Sequence, residues 1–266
     1  MTMHSQSETQ AVETQAAKAA LETAGVKYAL ASFVDLHGIS KSKVVPMSHF
    51  EQMAGGSELF TGAALDGVPQ EVNDEEVSAR PDLNSAAILP WNPEVVWYAS
   101  DLHLKGQPFE ACSRGILKKQ IAAAAELGLR FNLGIETEFF VLKQNADGSL
   151  VPTSESDTLA KPCYDVRGFL DNYGLLDEIV RAMDGLGWDV YSFDHEDANG
   201  QFETDFQYAD GLTMADRFTF FRLMLGELAK KRGWFATCMA KPFADKTGNG
   251  AHFNMSMASL ATGENL

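Results

Sequence analysis

The sequence predicts an α+β fold whose sheets are largely antiparallel. Helical stretches alternate with strands, but pairs of strands joined directly by a turn interrupt that alternation. A parallel pair needs a long crossover between its strands, whereas a direct turn joins antiparallel neighbours. The chain has 266 residues, of which 45% are hydrophobic, so it is long enough to bury a sizeable core in one or two domains.

The first part of the chain predicts a tail, a helix and a hairpin. Residues 1–8 are polar and are expected to be disordered. The alanine-rich stretch 9–24 predicts a helix that Gly25 ends. Residues 26–35 and 39–46 flank a short turn that contains a glycine, so they predict two strands of one hairpin.

A long irregular segment follows the hairpin. Residues 51–84 are rich in glycine, proline and acidic residues and show little periodicity, which predicts a loop. Loops of this length inside compact domains are usually functional or disordered. Two short strands are then expected at 87–90 and 95–98, around a turn that contains proline.

The second part predicts alternating helices and strands. Ser113 is expected to cap a helix over 114–127, and an apolar strand follows at 131–142. Apolar spacing predicts a helix over 171–186. Thr213 and Asp216 have the spacing of a capping box with a shortened acid, and are expected to begin a helix that runs to residue 232. The remaining predicted elements are strands at 188–193, 234–240 and 251–257.

Charge and cysteine content exclude several classes of protein. The net charge is −16, whereas nucleic acids and anionic membranes attract basic surfaces. The sequence has neither an apolar run of about 18 residues nor a signal peptide, which predicts a cytoplasmic protein. The odd cysteine count predicts reduced thiols that serve in packing, at Cys112, Cys163 and Cys238.

An acidic strand is the first sign of chemistry. The stretch 134–142 reads GIETEFFVL and is apolar except for Glu136 and Glu138. Side chains two apart on a strand point to the same face, so both carboxylates are expected on one side. Two like charges there repel each other, and a divalent cation between them would relieve the repulsion. A strand face open to water would relieve it equally well, and this stretch alone leaves both possibilities open.

Two later stretches carry matching groups. Residues 194–203 read DHEDANGQFE and add the carboxylates of Glu196 and Glu203. Residues 248–257 read GNGAHFNMSM and place three polar side chains at period 2 on one strand, namely His252, Asn254 and Ser256. Together the four glutamates and the histidine form a set that could hold two metal ions.

These blocks, in order and in type, resemble the catalytic motifs of the glutamine synthetase superfamily. The block DHEDANGQFE, with KPCYD at 161–165, resembles its γ-glutamylmethylamide synthetase branch most. The resemblance runs from about residue 25 to residue 266. It implies an N-terminal β-grasp domain at 25–108, preceded by the tail and helix of 1–24, and a catalytic domain at 109–266. The family's catalytic domain continues beyond that point, so the chain is expected to be truncated and inactive on its own.

The resemblance also implies roles for individual residues. One Mg²⁺ or Mn²⁺ ion would be held by Glu138, Glu196 and Glu203, and a second would begin at Glu136 and His252. Glutamate would be bound by Glu138, Gly248 and His252. The nucleotide would be bound by Tyr208, Asn254 and Ser256, although Asn254 replaces a histidine that many members have. The catalytic residues would be Glu196 and, from a neighbouring subunit, Asp66, with Glu75 or Glu76 as a second acid of that loop.

The expected activity is ATP-dependent joining of glutamate to an amine through γ-glutamyl phosphate. The motif spelling favours methylamine over ammonia, and the family implies a homo-oligomeric ring. A non-catalytic metal-binding or assembly protein with the same fold is the first alternative, together with an inactive fragment of the enzyme. A metal-dependent phosphohydrolase that uses the same acids is the second.

Overall fold

Five α-helices and fifteen strands form the fold of residues 3–266, which are the part of the chain that the computed structural model describes. The helices are α1 (Met3–Thr23), α2 (Phe50–Ala54), α3 (Ser113–Glu126), α4 (Val166–Gly185) and α5 (Gly211–Lys230). The first eight strands are β1 (Tyr28–Val34), β2 (Ser40–Lys41), β3 (Val44–Pro46), β4 (Glu58–Phe60), β5 (Val77–Pro81), β6 (Ala87–Leu89), β7 (Asn92–Leu104) and β8 (Gln107–Pro108). The other seven are β9 (Leu129–Gln144), β10 (Leu150–Pro152), β11 (Val190–His195), β12 (Gln201–Phe206), β13 (Ala209–Asp210), β14 (Phe235–Thr237) and β15 (Ala251–Ser259).

The chain divides into two compact units, Met1–Ala123 and Ala124–Leu266. The first contains an eight-stranded sheet in the order β2-β1-β7-β5-β4, with β3 paired to β1, and β6 and β8 paired to β7. Its core packs Phe50 and Met53 of α2 with Tyr98 of β7, all fully buried. The sequence-predicted limits of the β-grasp and catalytic domains stay a prediction.

The sheet of the second unit is built around β9. This 16-residue strand lies in the order β10-β9-β12-β11, and β13, β14 and β15 also pair with it. Its pairings are all antiparallel, as are those of the first unit except for the parallel pair of β1 and β7. The predicted α+β fold with largely antiparallel sheets is therefore confirmed for the described residues.

The two faces of β9 have different surroundings. The ring of Phe139 contacts that of Phe221 on α5, with centroids 6.0 Å apart, so this face packs against a helix. Residues at even positions point the other way, because strand side chains alternate. There the ring of Phe140 packs on that of Phe243, with centroids 5.3 Å apart. Glu136 and Glu138 share this second face, as predicted.

Several predicted elements are wrong in extent. The predicted loop 51–84 contains α2, β4 and β5, whose short lengths gave little periodic signal. Helix α1 begins at Met3, inside the tail that was expected to be disordered; Met1 and Thr2 of that tail lie outside the described residues. Strand β14 ends at Thr237, short of the predicted residue 240. There the side-chain amide of Asn249 donates to the carbonyl groups of Thr237 and Met239, which are then not available to a neighbouring strand.

Two helix starts also differ from the prediction. Helix α4 begins at Val166, where Asp165 is the N-cap, and not at residue 171. Its first turns bury Gly168 and Asn172 and not apolar side chains, so apolar spacing did not reveal them. Helix α5 is capped by Asp210, whose Oδ1 accepts hydrogen bonds from the backbone N–H groups of Leu212 and Thr213, both at 3.1 Å.

The cysteines and helices agree with the compositional expectations. Cys112, Cys163 and Cys238 are free thiols, and Cys112 is buried. None of the helices in the described part of the chain combines the length and the apolar character needed to cross a membrane.

The cap of α5 provides a test of this helix start. We expect Asp210→Ala to lower the free energy of unfolding by about 1 kcal/mol, because two backbone N–H groups lose their acceptor. Thr213→Val removes only a hydroxyl donor to the same carboxylate and should cost less. Urea denaturation of both variants measures the difference, and a larger loss for Thr213→Val would contradict the assignment of Asp210 as the cap.

Candidate metal centre and adjoining pocket

Strand register brings three carboxylates into one row across the second sheet. Glu138 of β9 lies opposite Glu203 of β12, and Glu203 lies opposite Asp194 of β11. Directly opposed residues in a sheet have Cβ atoms about 4.5–5.5 Å apart, and like charges at that distance destabilise the sheet. A row of acids in a sheet core therefore indicates a purpose other than stability.

Glu136 is held from the other side of β9. His252 of β15 lies opposite Glu136, with its Nδ1 3.2 Å from Oε2. The side-chain amide of Asn254 donates to Oε1 of Glu136 at 2.7 Å. Both carboxylate oxygens thus contact side chains of β15, which limits the rotation of this acid.

The carboxylates and the histidine form overlapping groups. Ligand atoms within 4.8 Å of one another occur in the set Glu138, Glu196 and Glu203, and again in the set Glu136, Glu203 and His252. Glu203 belongs to both sets, whereas the sequence assigned it to one ion only. A third set joins Glu203 to Asp194 and Asp205. The structure thus brings together all five residues that were predicted to bind metal.

Burial and repulsion from neighbouring acids make Glu203 and Asp205 hard to ionise. Burial and four neighbouring carboxylates raise the pKa of Glu203 to about 8, far above its ordinary value near 4.5. Those neighbours, in decreasing order of effect, are Asp205, Glu196, Asp194 and Glu138. Burial and nearby acids also raise the pKa of Asp205 to about 6. The cluster therefore favours any ligand that brings positive charge.

The donor atoms fit divalent cations. Oε2 of Glu203 is buried and has no hydrogen-bond partner among the described residues. An unsatisfied buried carboxylate oxygen costs free energy unless something binds it. Hard oxygen donors with one imidazole suit Mg²⁺ and Mn²⁺. The residues present thus match the metal that the sequence resemblance implies, and the assignment of each ion stays a proposal.

Two glycines of the loop 241–250 lie in close contact with their surroundings, and one of them lies against the acids. A Cβ on Gly250 would lie 2.6 Å from Oε1 of Glu138 and 3.1 Å from Nε2 of His252. A Cβ on Gly248 would lie 2.5 Å from the carbonyl oxygen of Ala240. Real Cβ contacts are essentially never as short as 2.5 or 2.6 Å. A side chain at position 248 would meet backbone, which cannot easily move, whereas one at position 250 would displace the Glu138 carboxylate.

A pocket of about 780 Å³ adjoins the cluster. All three residues that were predicted to bind nucleotide line it, and Glu136 joins the pocket to the metal cluster. The predicted residues are Tyr208, Asn254 and Ser256. Half-exposed Tyr208 and exposed Tyr191 present aromatic rings to it, as a site that stacks a base requires.

Asp66 lies in the first unit, where its surroundings are those of an exposed turn. Its Oδ2 is 3.5 Å from Nε2 of His37, and its carbonyl accepts the N–H of Leu36. Of the two other candidate acids, Glu75 pairs with Lys105 at 3.2 Å, and Glu76 accepts the hydroxyl of Thr61 at 3.0 Å. Because Glu75 and Glu76 have different partners, each can be substituted without removing the contact of the other.

A buried ion pair anchors the segment that carries Glu196. His195 and Asp157 are both almost fully buried and lie 2.8 Å apart. The other ring nitrogen of His195 is 2.8 Å from the carbonyl oxygen of Glu196. Both nitrogens face acceptors, so both carry hydrogen and the ring is charged. Burial alone would lower the pKa of His195, but its hydrogen bonds with Asp157 and with the Glu196 carbonyl, together with the negative charge of Asp157, outweigh burial and raise the pKa.

Sequence reasoning missed three groups of the cluster and its pocket. Asp205 stands two residues after Glu203 on β12, so the period-2 rule that joined Glu136 and Glu138 could have found it. Asp194 opposes Glu203 only through strand pairing, which one strand's sequence does not show. Tyr191 sits at a register shift between Val190 and Ser192, and bulges of this kind redirect side chains.

A family model described as the catalytic domain of glutamine synthetase matches residues 110–266. The chain belongs to the glutamine synthetase family. The match begins in the sequence close to the predicted start of the catalytic domain and includes every acid of the cluster.

Individual members of the family are similar over most of this chain. The glutamate–methylamine ligase of Methyloversatilis universalis is 39% identical over 233 residues, which are 87% of this chain and 52% of that protein. The glutamine synthetase of Rhizobium meliloti is 41% identical over 239 residues, which are 89% of this chain and 54% of that protein. A solved structure described as a GmaS/ADP complex has a TM-score of 0.89 and 40% identity, over 94% of this chain and 57% of that one. The chain thus spans about half the length of the curated relatives it matches.

The raised pKa of Glu203 predicts an unusual dependence of stability on pH. The unfolded carboxyl ionises near pH 4.5 and the folded one near pH 8. Between these values the folded state keeps a proton that the unfolded state has lost, so the free energy of unfolding falls as the pH rises. Glu203→Gln cannot ionise. Without metal at pH 8 it should be more stable than the wild type by at least about 1.4 kcal/mol, the value of one pKa unit.

Urea denaturation at pH 5 and pH 8, with a chelator present, measures this effect. The gain should be much smaller at pH 5, because that pH lies only about half a unit above the value at which the unfolded carboxyl ionises. Glu126→Gln, at an exposed glutamate of α3, is the matched control and should leave stability nearly unchanged at both pH values. An equal effect of Glu203→Gln at the two pH values would contradict the burial of an uncompensated acid.

Proposed function

We propose that the protein is, or is part of, an ATP-dependent ligase that joins glutamate to an amine, with methylamine preferred to ammonia. The observation that carries the proposal is the pair of overlapping metal sets that share Glu203. The adjoining pocket supplies space for a nucleotide, and the loop 241–250 allows close approach of a second substrate. Membership of the glutamine synthetase family supports the same chemistry and a cytoplasmic enzyme.

The proposed reaction has two balanced steps. A γ-carboxylate oxygen of glutamate attacks the γ-phosphorus of ATP, and the bond to the bridging oxygen breaks to release ADP. The nitrogen of the free amine then attacks the γ-carbonyl carbon of γ-glutamyl phosphate, expels inorganic phosphate and loses a proton. Divalent cations held at the carboxylates would offset the charge of the phosphate groups during the first step.

The chain's own residues would align and shield these substrates. The proposed cation ligands are Glu136, Glu138, Glu196, Glu203 and His252. Glutamate would lie against Gly248, near Glu138 and His252, and the nucleotide would occupy the pocket of Tyr208, Asn254 and Ser256. Glu196 and Asp66 would be the catalytic acids, with Asp66 taking the amine proton at the site of a neighbouring subunit in a ring. Binding in fixed geometry lowers the entropic cost of both steps.

The preference for methylamine rests on local sequence and not on overall similarity. The two relatives have nearly equal identities of 39% and 41%, so overall similarity does not choose between their substrates. The amino-acid sequences of 194–203 and 161–165 resemble the methylamine branch more and favour it. One methyl group in an apolar niche is worth only about 1–3 kcal/mol, so a few side chains could set the preference.

Metal binding is the first test of the proposal. We expect the chain to bind Mn²⁺ in calorimetry, and the double variant Glu138→Ala, Glu203→Ala to bind at least about tenfold more weakly, because it loses ligands of both sets. The control replaces two exposed glutamates outside the cluster, Glu126→Ala with Glu155→Ala. Unchanged affinity in the first double variant would remove these carboxylates from the metal site.

The amine is the second test. The assay uses this chain together with the sequence that corresponds to the remaining half of its relatives, and follows phosphate release with ATP, glutamate and Mg²⁺. We expect a higher specificity constant for methylamine than for ammonia at matched free-amine concentration. A higher value for ammonia would indicate a glutamine synthetase. Binding of ATP and metal without turnover on either amine would favour a non-catalytic relative.

A further inference from the structure

Gln201 is a fully buried polar residue between the acids and the loop 241–250. It begins β12 and pairs with Phe140 of β9. Its backbone N–H donates to the carbonyl of Ala198, and its carbonyl accepts the N–H of Glu196. The side chain therefore starts from a fixed backbone position inside the block that carries Glu196 and Glu203.

The orientation of the Gln201 amide is determined by its surroundings. Its Oε1 accepts the backbone N–H of Ala198 at 3.1 Å, and a backbone N–H can only donate. The nitrogen must then lie on the opposite side, which faces acceptors. Oε2 of Glu138 is 2.9 Å away, and the carbonyl oxygen of Gly248 is 3.0 Å away.

A third acceptor completes the contacts. Oδ1 of Asn249 lies 2.9 Å from Nε2 of Gln201. The amide nitrogen of Asn249 donates to the carbonyls of Thr237 and Met239, which determines that its oxygen faces Gln201. Two N–H groups of Gln201 therefore serve three acceptors, one on the acidic strand and two on the loop.

A backbone hydrogen bond also joins the loop directly to the acidic strand. The backbone N–H of Glu138 donates to the carbonyl of Gly250 at 3.3 Å, a long hydrogen bond. Gln201 therefore supplies the shorter contacts between Glu138 and the loop. Side-chain hydrogen bonds to charged groups contribute more than those between neutral groups.

A neutral amide suits this position for an electrostatic reason. A lysine would also orient the Glu138 carboxylate, but its charge would compete with a cation for the same oxygens. Glutamine restrains the carboxylate and leaves its negative charge available. Residues that orient metal ligands by hydrogen bonding are as much part of a metal site as the ligands themselves.

We propose that Gln201 is a positioning residue that couples the place of the loop 246–250 to the orientation of Glu138. The inference rests on the proposed function, in which Glu138 binds metal and Gly248 contacts glutamate. Nε2 of Gln201 holds the loop and the Glu138 carboxylate in one fixed relation, so a shift of the loop would rotate the carboxylate. The contacts on the loop and those on the acid can be measured separately.

The test compares Gln201→Met with Asn172→Leu. Methionine keeps the length of the side chain and removes all four hydrogen bonds. Asn172 is an equally buried amide of the same unit, with its own hydrogen bonds to Gly168 and Thr153, and is a matched control for loss of stability. Urea denaturation establishes that both variants are folded under the conditions used.

Hydrogen exchange of the chain without metal is the first readout. Peptides that cover 246–250 should exchange about tenfold faster in Gln201→Met, because the loop loses two hydrogen bonds, and should be unchanged in Asn172→Leu. Unchanged exchange of this loop in Gln201→Met would overturn the proposal. This readout needs no metal and no activity, so it stands even if the proposed function fails.

Mn²⁺ affinity is the second readout. Gln201→Met should bind about 10- to 100-fold more weakly than the wild type, as expected for loss of a group that orients a ligand, and Asn172→Leu should bind normally. Wild-type affinity in Gln201→Met, or an equal loss in Asn172→Leu, would overturn the coupling. A wild-type chain that binds no Mn²⁺ would instead contradict the proposed function, and the exchange result would then decide the role of Gln201.

Discussion

Repulsion among carboxylates on one face of β9 and its neighbours is the constraint on which the second unit depends. Glu203 has acids on several sides, and its pKa of about 8 measures how unfavourable its charge is there. A fold with no use for this arrangement would be more stable with apolar residues in its place. The acids are acceptable only because other parts of the unit hold them and because a cation can offset them.

The rest of the unit holds these acids in place. An aromatic core behind β9, which includes the contact of Phe139 with Phe221, stabilises the strand that carries two of them. The buried pair of His195 and Asp157 anchors the segment around Glu196. Gly250 allows the loop to approach Glu138 to a distance that a side chain would prevent. Rigid supports of this kind are what a preorganised site requires.

Much of the fold and of the site was predictable from local pattern. The period-2 spacing of Glu136 and Glu138 placed both on one face of an apolar strand, and the four longer helices followed from alanine content, capping residues and apolar spacing. Prediction failed where the signal is not periodic. The first turn of α4 buries Gly168 and no apolar side chain. Helix α5 begins after its N-cap Asp210, about one turn before its apolar residues start. The short elements of 51–84 contribute Met53, Val77 and Ala79 to the core of the first unit, and such short segments carry no periodic signal.

The sequence by itself determined the fold class, the family and five residues of the metal cluster, because strand alternation and motif sequence are local properties. Tertiary structure decided how those residues combine. Strand register opposes Glu203 to both Glu138 and Asp194, and Glu203 is common to all three sets of candidate ligands. It also brings the amide of Gln201 to Glu138, 63 residues earlier in the chain, and to the loop 47 residues later. Pairing between distant strands has no signature in either strand alone, because it depends on the closure of the loops between them.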